Sequence, residues 1–215
     1  MEKLTNKYSN FLVKYLMNNF DRYHFCVNKQ DAYVDRPSVL YEGQTISAPH
    51  MHAKAIEYLE DVLKPGKSIL DIGSGSGYLC ACFGEAVQVA NKNSKLRGKV
   101  VGIEIIDKLV DYSHNVLQQH YPYLYKYKKS FIIRKSDGKL GFPNRKNEEL
   151  YDGIHIGAAC EYIPYFILQQ LKRGGILVIP LQLDKDKLMF CVLKKDLKGN
   201  IHIQEQGGVR YVPLV

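Results

Sequence analysis

The sequence predicts an α/β protein: a doubly wound, mostly parallel seven-stranded sheet with helices on both faces and an antiparallel strand at its carboxyl-terminal edge. Three observations predict it. Short apolar runs alternate with stretches of helical period, the pattern of parallel strands joined by crossover helices. The polar and glycine-rich punctuation at 71–77, 104, 137–138 and 157–159 falls at the ends of successive runs, where such sheets bind their ligands. The last two runs, 188–193 and 201–204, flank Lys198-Gly199-Asn200 and read as an antiparallel pair.

The elements follow in order. Leu4, Tyr8, Phe11, Leu12, Tyr15 and Leu16 form an apolar stripe at helical spacing, which Asn18-Asn19 would end. Residues 20–45 have no sustained period and read as irregular. A second helix starts at Pro49, an allowed first-turn position for proline, and places His52, Ala55, Ile56, Leu59, Val62 and Leu63 on one face before Pro65-Gly66 stops it. Strands are predicted at 68–72, 99–103, 130–134, 152–156 and 175–180. Helices are predicted at 78–90, around Leu109, Val110, Ser113, Val116 and Leu117, and around Ile163, Phe166, Ile167 and Leu171.

Bulk properties narrow the field. A chain of 215 residues, 46% hydrophobic, suits one domain with a full core. No apolar run approaches the roughly 18–20 residues of a membrane span, and residues 1–10 lack the apolar stretch of a secretory leader, so a cytoplasmic location is expected. The five cysteines follow no framework spacing and read as small core residues in a reducing compartment. The net charge of +8 admits acidic partners, but the lysines are spread along the chain as a solvated surface would have them. No nucleic-acid partner is expected, and the chain is expected to be a monomer.

The loop after the 68–72 strand carries Gly73-x-Gly75-x-Gly77 rather than the dinucleotide G-x-G-x-x-G spacing, with Asp71 two residues ahead. A carboxylate there disfavours a pyrophosphate and suits a ligand with a sulfonium or ammonium group. Glu104 is placed to accept from ribose hydroxyls, and Asp137-Gly138 to meet an adenine amino group. Each acid also has a plainer reading: Asp71 as a helix cap, Glu104 as a helix-start charge, Asp137 as a turn former. Ser47 reads equally as the cap of the helix that starts at Pro49. His50 and His52 stand two residues apart, on different helix faces, and with no third ligand in view no metal site is expected.

Thr45-Ile46-Ser47-Ala48-Pro49-His50-Met51-His52 resembles the signature segment of protein-L-isoaspartate O-methyltransferases, a family of class I S-adenosylmethionine-dependent methyltransferases with a Rossmann-like fold. Asp21-Arg22-x-His24 upstream fits the same order. So do Leu70-Asp71-Ile72-Gly73-Ser74-Gly75-Ser76-Gly77, Ile154-His155-Ile156-Gly157-Ala158-Ala159, Leu171-Lys172-x-Gly174-Gly175 and Gly208-Val209-x-Tyr211-Val212-Pro213-Leu214 downstream. The resemblance spans roughly residues 12–215. It implies a substrate-side segment at 1–48 and a cofactor-binding core at 49–215. It makes Ser47 the active-site serine. It puts Thr45, Ile46, His52, Asp71, Gly73, Ser74, Gly75, Glu104, Ile105, Asp137 and Gly138 at the cofactor S-adenosyl-L-methionine, and Thr45, Ile46, Ser47, Val209 and Tyr211 around the substrate. The implied partners are proteins and peptides carrying isoaspartyl, and by extension D-aspartyl, residues. The implied products are S-adenosyl-L-homocysteine and a methyl ester that breaks down through a succinimide and so begins repair.

The acceptor chemistry needs no strong base. The free carboxylate of isoaspartate is a former backbone α-carboxyl, with a pKa of about 3.3–3.7, and is ionised at neutral pH. Competing classes are another class I methyltransferase acting on RNA or a small metabolite, a non-enzymatic nucleic-acid-binding module, and a nicotinamide oxidoreductase; the absent Asn/Asp-Pro-Pro-Tyr motif and the loop spacing weigh against the first and last. Where the sequence departs from the family, the amino-terminal helical segment is short, Ser136 stands where glycine is common, residues 91–97 form a longer loop, Cys160-Glu161 replaces less polar residues, and the sequence stops at Val215 where relatives often continue into a tail that helps cover the cofactor, which implies either a trimmed end or a smaller lid.

Overall fold

The computed structural model describes residues 8–142 and 150–214. Helix α1 (Phe11–Asn19) and the single turn α2 (Arg22–Phe25) lead through a 3-10 turn to two short antiparallel strands, β1 (Ser38–Val39) and β2 (Thr45–Ile46). Then come α3 (Pro49–Leu59), β3 (Ser68–Ile72), α4 (Tyr78–Ala86), β4 (Lys99–Glu104), α5 (Asp107–His120), β5 (Phe131–Lys135), β6 (Tyr151–Ile156), α6 (Tyr165–Gln170), β7 (Leu171–Asp184), β8 (Lys187–Lys195) and β9 (Ile201–Gly208).

The large sheet has the order β5-β4-β3-β6-β7-β8-β9. The first five of these strands pair in parallel, and β8 pairs antiparallel with both β7 and β9. Successive residues point to opposite faces. Ile69, Val100, Ile133, Val178 and Val192 join a cluster with Leu16, Ile56, Phe83 and Leu117, so α1, α3, α4 and α5 cover one face. Leu70, Val101, Ile154, Leu177 and Leu193 face the other way, onto Ile167 of α6. The central strands are buried on both faces, hence apolar residues at adjacent as well as alternate positions. Each such large side chain contributes roughly 1.5–3 kcal/mol by burial.

The strand and helix expectations hold for the sheet and for α3, whose predicted face is buried; Val62 and Leu63 are buried too, in the turn beyond the helix. Three helices depart from the sequence reading. Among the described residues α1 begins only at Phe11, because the Asn10 side chain caps it by accepting from Val13 N at 3.0 Å. Its buried face is then Val13, Leu16 and Met17, while Phe11 is 81% exposed and Tyr15 turns out to donate to Glu85. Leu4 lies outside the described residues. Helix α4 ends at Ala86 rather than 90, with Gln88 in the left-handed region at φ 59°. Helix α6 is shorter than its pattern: Phe166 is exposed and Leu171 already belongs to β7. The stretch read as irregular holds α2, a 3-10 turn (Lys29–Asp31) and β1.

Asp152, at the start of β6, ties three strands together. It accepts from Ser68 N at 3.0 Å, Lys67 Nζ at 3.0 Å and Lys172 Nζ at 2.7 Å. Burial pushes its pKa up, but these hydrogen bonds outweigh burial and hold it below its ordinary 3.8. A depressed folded-state pKa gives stability that is present above the ordinary value and lost as pH falls through the depressed one. We therefore expect Asp152→Asn to cost about 1–2 kcal/mol near neutral pH, discounted for the half-exposed lysines. Thermal melts at decreasing pH should show the gap between wild type and variant closing in acid. A gap that persists there would assign the effect to packing instead.

Candidate active site

Chain order runs outward from β3 to β4 to β5, then returns to β6 on the other side of β3. The crevice beyond the strand ends at this switch is the place for a ligand. The backbone has been brought close there. Gly73 and Gly75 adopt φ of 70° and 52°, which admit glycine readily and other residues with strain. Gly73 N and Ser74 N both donate to Ile103 O, at 2.9 and 3.0 Å, and Gly157 N donates to Ile72 O at 2.8 Å. A side chain at Gly157 would meet Gly73 O at 2.9 Å.

Three spaces open along this crevice. The first is a cleft of about 570 Å³, counting the solvent it opens to, lined by Thr45, Gly73, Gly75, Glu104, Ile105 and Gly138 among others. Its apolar wall comes from Ile103, Ile106, Leu109, Ala158, Val212 and Leu214. The second is a chamber of about 360 Å³ lined by Ile46, Ser47, His52, Asp71, Ser74 and His155, sharing Thr45, Gly73 and Gly75 with the cleft. The third is an open groove that holds Val209 and Tyr211. The Ser47 side chain of the chamber lies beside the Tyr211 hydroxyl of the groove, whose pKa burial pushes up to about 12 while Ser47 draws it down, so the two spaces meet at these residues.

The sequence-predicted residues therefore converge, with different local roles. Ser47 does not cap α3: the cap position is Ala48 and has no side-chain hydrogen bond. Asp71 is not a helix cap either. It is 1% exposed, with His155 Nδ1 at 2.7 Å from Oδ1 and the Cys80 thiol donating to Oδ2 at 3.1 Å. Burial, and then Asp71 itself, push the Cys80 pKa well up, which keeps it a thiol and a donor. Glu104 does serve as a helix-start charge, accepting from Ile105 N and Ile106 N at 2.9 and 3.1 Å. It also accepts from Gly75 N at 3.0 Å while lining the cleft. Asp137 is exposed and caps the 3-10 turn Gly138–Leu140 by accepting from Lys139 N at 2.8 Å; its neighbours Ser136 and Gly138 line the cleft.

Other participants were not singled out from sequence. His155 lay inside a quoted motif, yet only the fold shows that it faces Asp71. Val212, Pro213 and Leu214 wall the cleft because Ala159 N donates to Val212 O and Leu214 N donates to Ala159 O, both at 2.8 Å. No local sequence signal marks that return of the chain. Arg22 is fully buried, and the only side-chain hydrogen bond it makes among the described residues is from Nη1 to His52 Nδ1 at 3.2 Å. A guanidinium cannot accept, so His52 Nδ1 is unprotonated and the ring proton sits on Nε2. Burial first, and then Arg22, His155 and His50, hold the His52 pKa well below 6.5, which makes the ring a neutral donor. It stacks on Tyr78 at 4.7 Å. His50 instead pairs with Asp35 at 2.8 Å, and no cluster of three or more metal-ligating side chains is present among the described residues.

A cleft with close backbone, a ribose-height acid and an apolar slot fits an adenosyl group, and the buried Ser74 hydroxyl, which lacks a partner, offers a further polar contact. Fold and site together define a class I S-adenosylmethionine-dependent methyltransferase. The sequence matches the family described as Protein-L-isoaspartate(D-aspartate) O-methyltransferase (PCMT) over residues 1–215, and the chain belongs to that family. A protein-L-isoaspartate O-methyltransferase of Triticum aestivum is 40% identical over 93% of this chain and 81% of its own length. Protein-L-isoaspartate O-methyltransferase 2 of Arabidopsis thaliana is 40% identical over 94% of this chain, which spans only 62% of that relative. In structure, a Plasmodium falciparum protein of this family, solved with S-adenosyl-L-homocysteine, superposes with a TM-score of 0.89 at 29% identity, covering 100% of this chain and 97% of its own.

Arg22 provides a test. A buried guanidinium whose one hydrogen bond among the described residues goes to a neutral imidazole is costly to desolvate, with Asp35 offsetting this only by charge attraction, and an apolar side chain of similar length replaces such a group with little loss. Arg22→Met should melt at or above the wild-type temperature, yet lower kcat/KM by about tenfold through the loss of the His52 partner. A variant that unfolds, or one with unchanged kcat/KM, would remove Arg22 from the site.

Proposed function

We propose that the chain transfers a methyl group from S-adenosyl-L-methionine to the free α-carboxylate of L-isoaspartyl residues, and of D-aspartyl residues, in damaged polypeptides. The carrying observation is Ser47. Its hydroxyl is not spent on capping α3 and stands at the junction of the chamber with the groove, against Tyr211. Family membership favours this reading over methylation of RNA or a small metabolite.

S-adenosyl-L-methionine supplies, when bound, an electrophilic methyl carbon on a positively charged sulfur. Glu104, Ile105, Gly138, Gly73 and Gly75 would hold its nucleoside half in the cleft, and Asp71, Ser74 and His52 its amino-acid half toward the chamber. Asp71 has one acceptor site on each oxygen taken, by His155 and by Cys80, and keeps about two of its four for the ammonium end of that half.

The acceptor carboxylate is ionised at neutral pH, and its methylation leaves no proton to move. The chain's residues act by orientation and by excluding water. Ser47 donates to one carboxylate oxygen and leaves the other free to attack. A lysine in its place would hold the carboxylate but repel a sulfonium and quench the nucleophile; a neutral hydroxyl does neither. Tyr211, a phenol protonated at neutral pH and kept so by burial, lies beside Ser47, where its hydroxyl can donate to the serine oxygen and leave the serine proton for the carboxylate. Val212 and Leu214 close the apolar side of the cleft. The five thiols are free and buried, which suits a reducing cytoplasm, and no helix among the described residues is long and apolar enough to cross a membrane.

Ser47→Ala should lower kcat by about 10–100-fold, the value of one hydrogen bond to a charged group, with S-adenosyl-L-homocysteine affinity by calorimetry unchanged. Unchanged turnover would take Ser47 out of the mechanism. Incubation with labelled methyl donor and matched isoaspartyl and aspartyl peptides tests the function itself: label should enter the isoaspartyl peptide alone.

A further inference from the structure

The groove outside Tyr211 differs in charge from the space behind it. Its lining carries four cations, Lys54, Lys185, Lys187 and Arg210, against one carboxylate, Asp186. Lys187 is shared with Glu205 at 2.8 Å, while Lys54, Lys185 and Arg210 make no ion pair among the described residues. They arrive from three separate elements: Lys54 from α3, Lys185 from the turn between β7 and β8, and Arg210 from the strand end that also supplies Val209 and Tyr211. Spread along the sequence they read as solvated surface; the fold sets them around one opening.

We infer that this groove selects isoaspartyl segments whose flanking side chains are acidic. The inference rests on the function proposed above. A polypeptide with its acceptor carboxylate at Ser47 must leave the chamber past Tyr211 and run along the groove. An extended chain advances about 3.3–3.6 Å per residue, so side chains within a few positions of the isoaspartyl residue come under the field of the unpaired cations. The screening length of about 8–10 Å at ordinary ionic strength covers the same distance. These contacts are made equally in the ground and transition states, so they set KM and leave kcat alone.

The test uses the whole protein and three isoaspartyl peptides of equal length, flanked by Glu, by Gln or by Lys. At low salt, KM should rise in that order by about tenfold overall, the combined effect of a few exposed pairs, with kcat nearly constant. Added salt should shrink the spread. In the variant Lys54→Gln/Lys185→Gln/Arg210→Gln the KM for the Glu-flanked peptide should rise to that for the Gln-flanked one. Equal KM for all three peptides on the wild-type protein, or a preference for Lys flanks, overturns the charge-selective groove while methyl transfer stands. Label in none of the three overturns the proposed function as well.

Discussion

One carboxylate organises the crevice. Glu104 receives the backbone amides of Gly75, Ile105 and Ile106, and so joins the loop after β3 to the start of α5. An ionised carboxylate has about four acceptor sites, and three are taken. The residue that would meet a ribose is therefore also the tie that shapes the slot for it. The φ values of Gly73 and Gly75 and the two amides on Ile103 O follow from the same close approach. A larger residue in the loop, or a neutral one at 104, would disturb geometry before it disturbed ligand chemistry.

Much of this was legible in the sequence, for reasons specific to each part. Strands β3, β4 and β6 are buried on both faces, so their apolar residues are not confined to alternate positions, and polar punctuation follows each of them. Helix α1 was harder. Its predicted stripe holds at Tyr8, Leu12 and Leu16, which pack on the core, and fails at Phe11 and Tyr15, because the buried face also runs through Val13 and Met17. Long-range closures left no local trace. Asp71 meets His155 across 84 residues, and Val212 and Leu214 reach the cleft by bonding to Ala159. The plainer readings also divided: it was right for Asp137, incomplete for Glu104, and wrong for Asp71 and Ser47.

Charge is distributed by depth. A net +8 spread along the chain conveys little, but the fold leaves three cations without an ion pair among the described residues at the outer groove and puts carboxylates at the inner crevice. A cationic donor and an anionic acceptor that must meet are each drawn by the opposite sign on their own side. Ser47 and Tyr211, both neutral, stand between the two regions.

Two of the chamber's lining residues, Asp71 and His52, are tied to buried partners. Asp71 is supplied with two donors, whereas Arg22, behind His52, has one neutral acceptor and leaves Nε and Nη2 without hydrogen-bond partners among the described residues. Desolvating a guanidinium on those terms opposes folding, so its stabilising value does not explain its presence. Its effect on His52 does. With Nδ1 committed as acceptor, the ring stays neutral and keeps its proton on Nε2, beside a serine that must also stay neutral. A protonated imidazole there would add a second cation where the proposed function puts a sulfonium. Burial does most to keep the ring neutral, and the Arg22 guanidinium adds to it while fixing which nitrogen carries the proton.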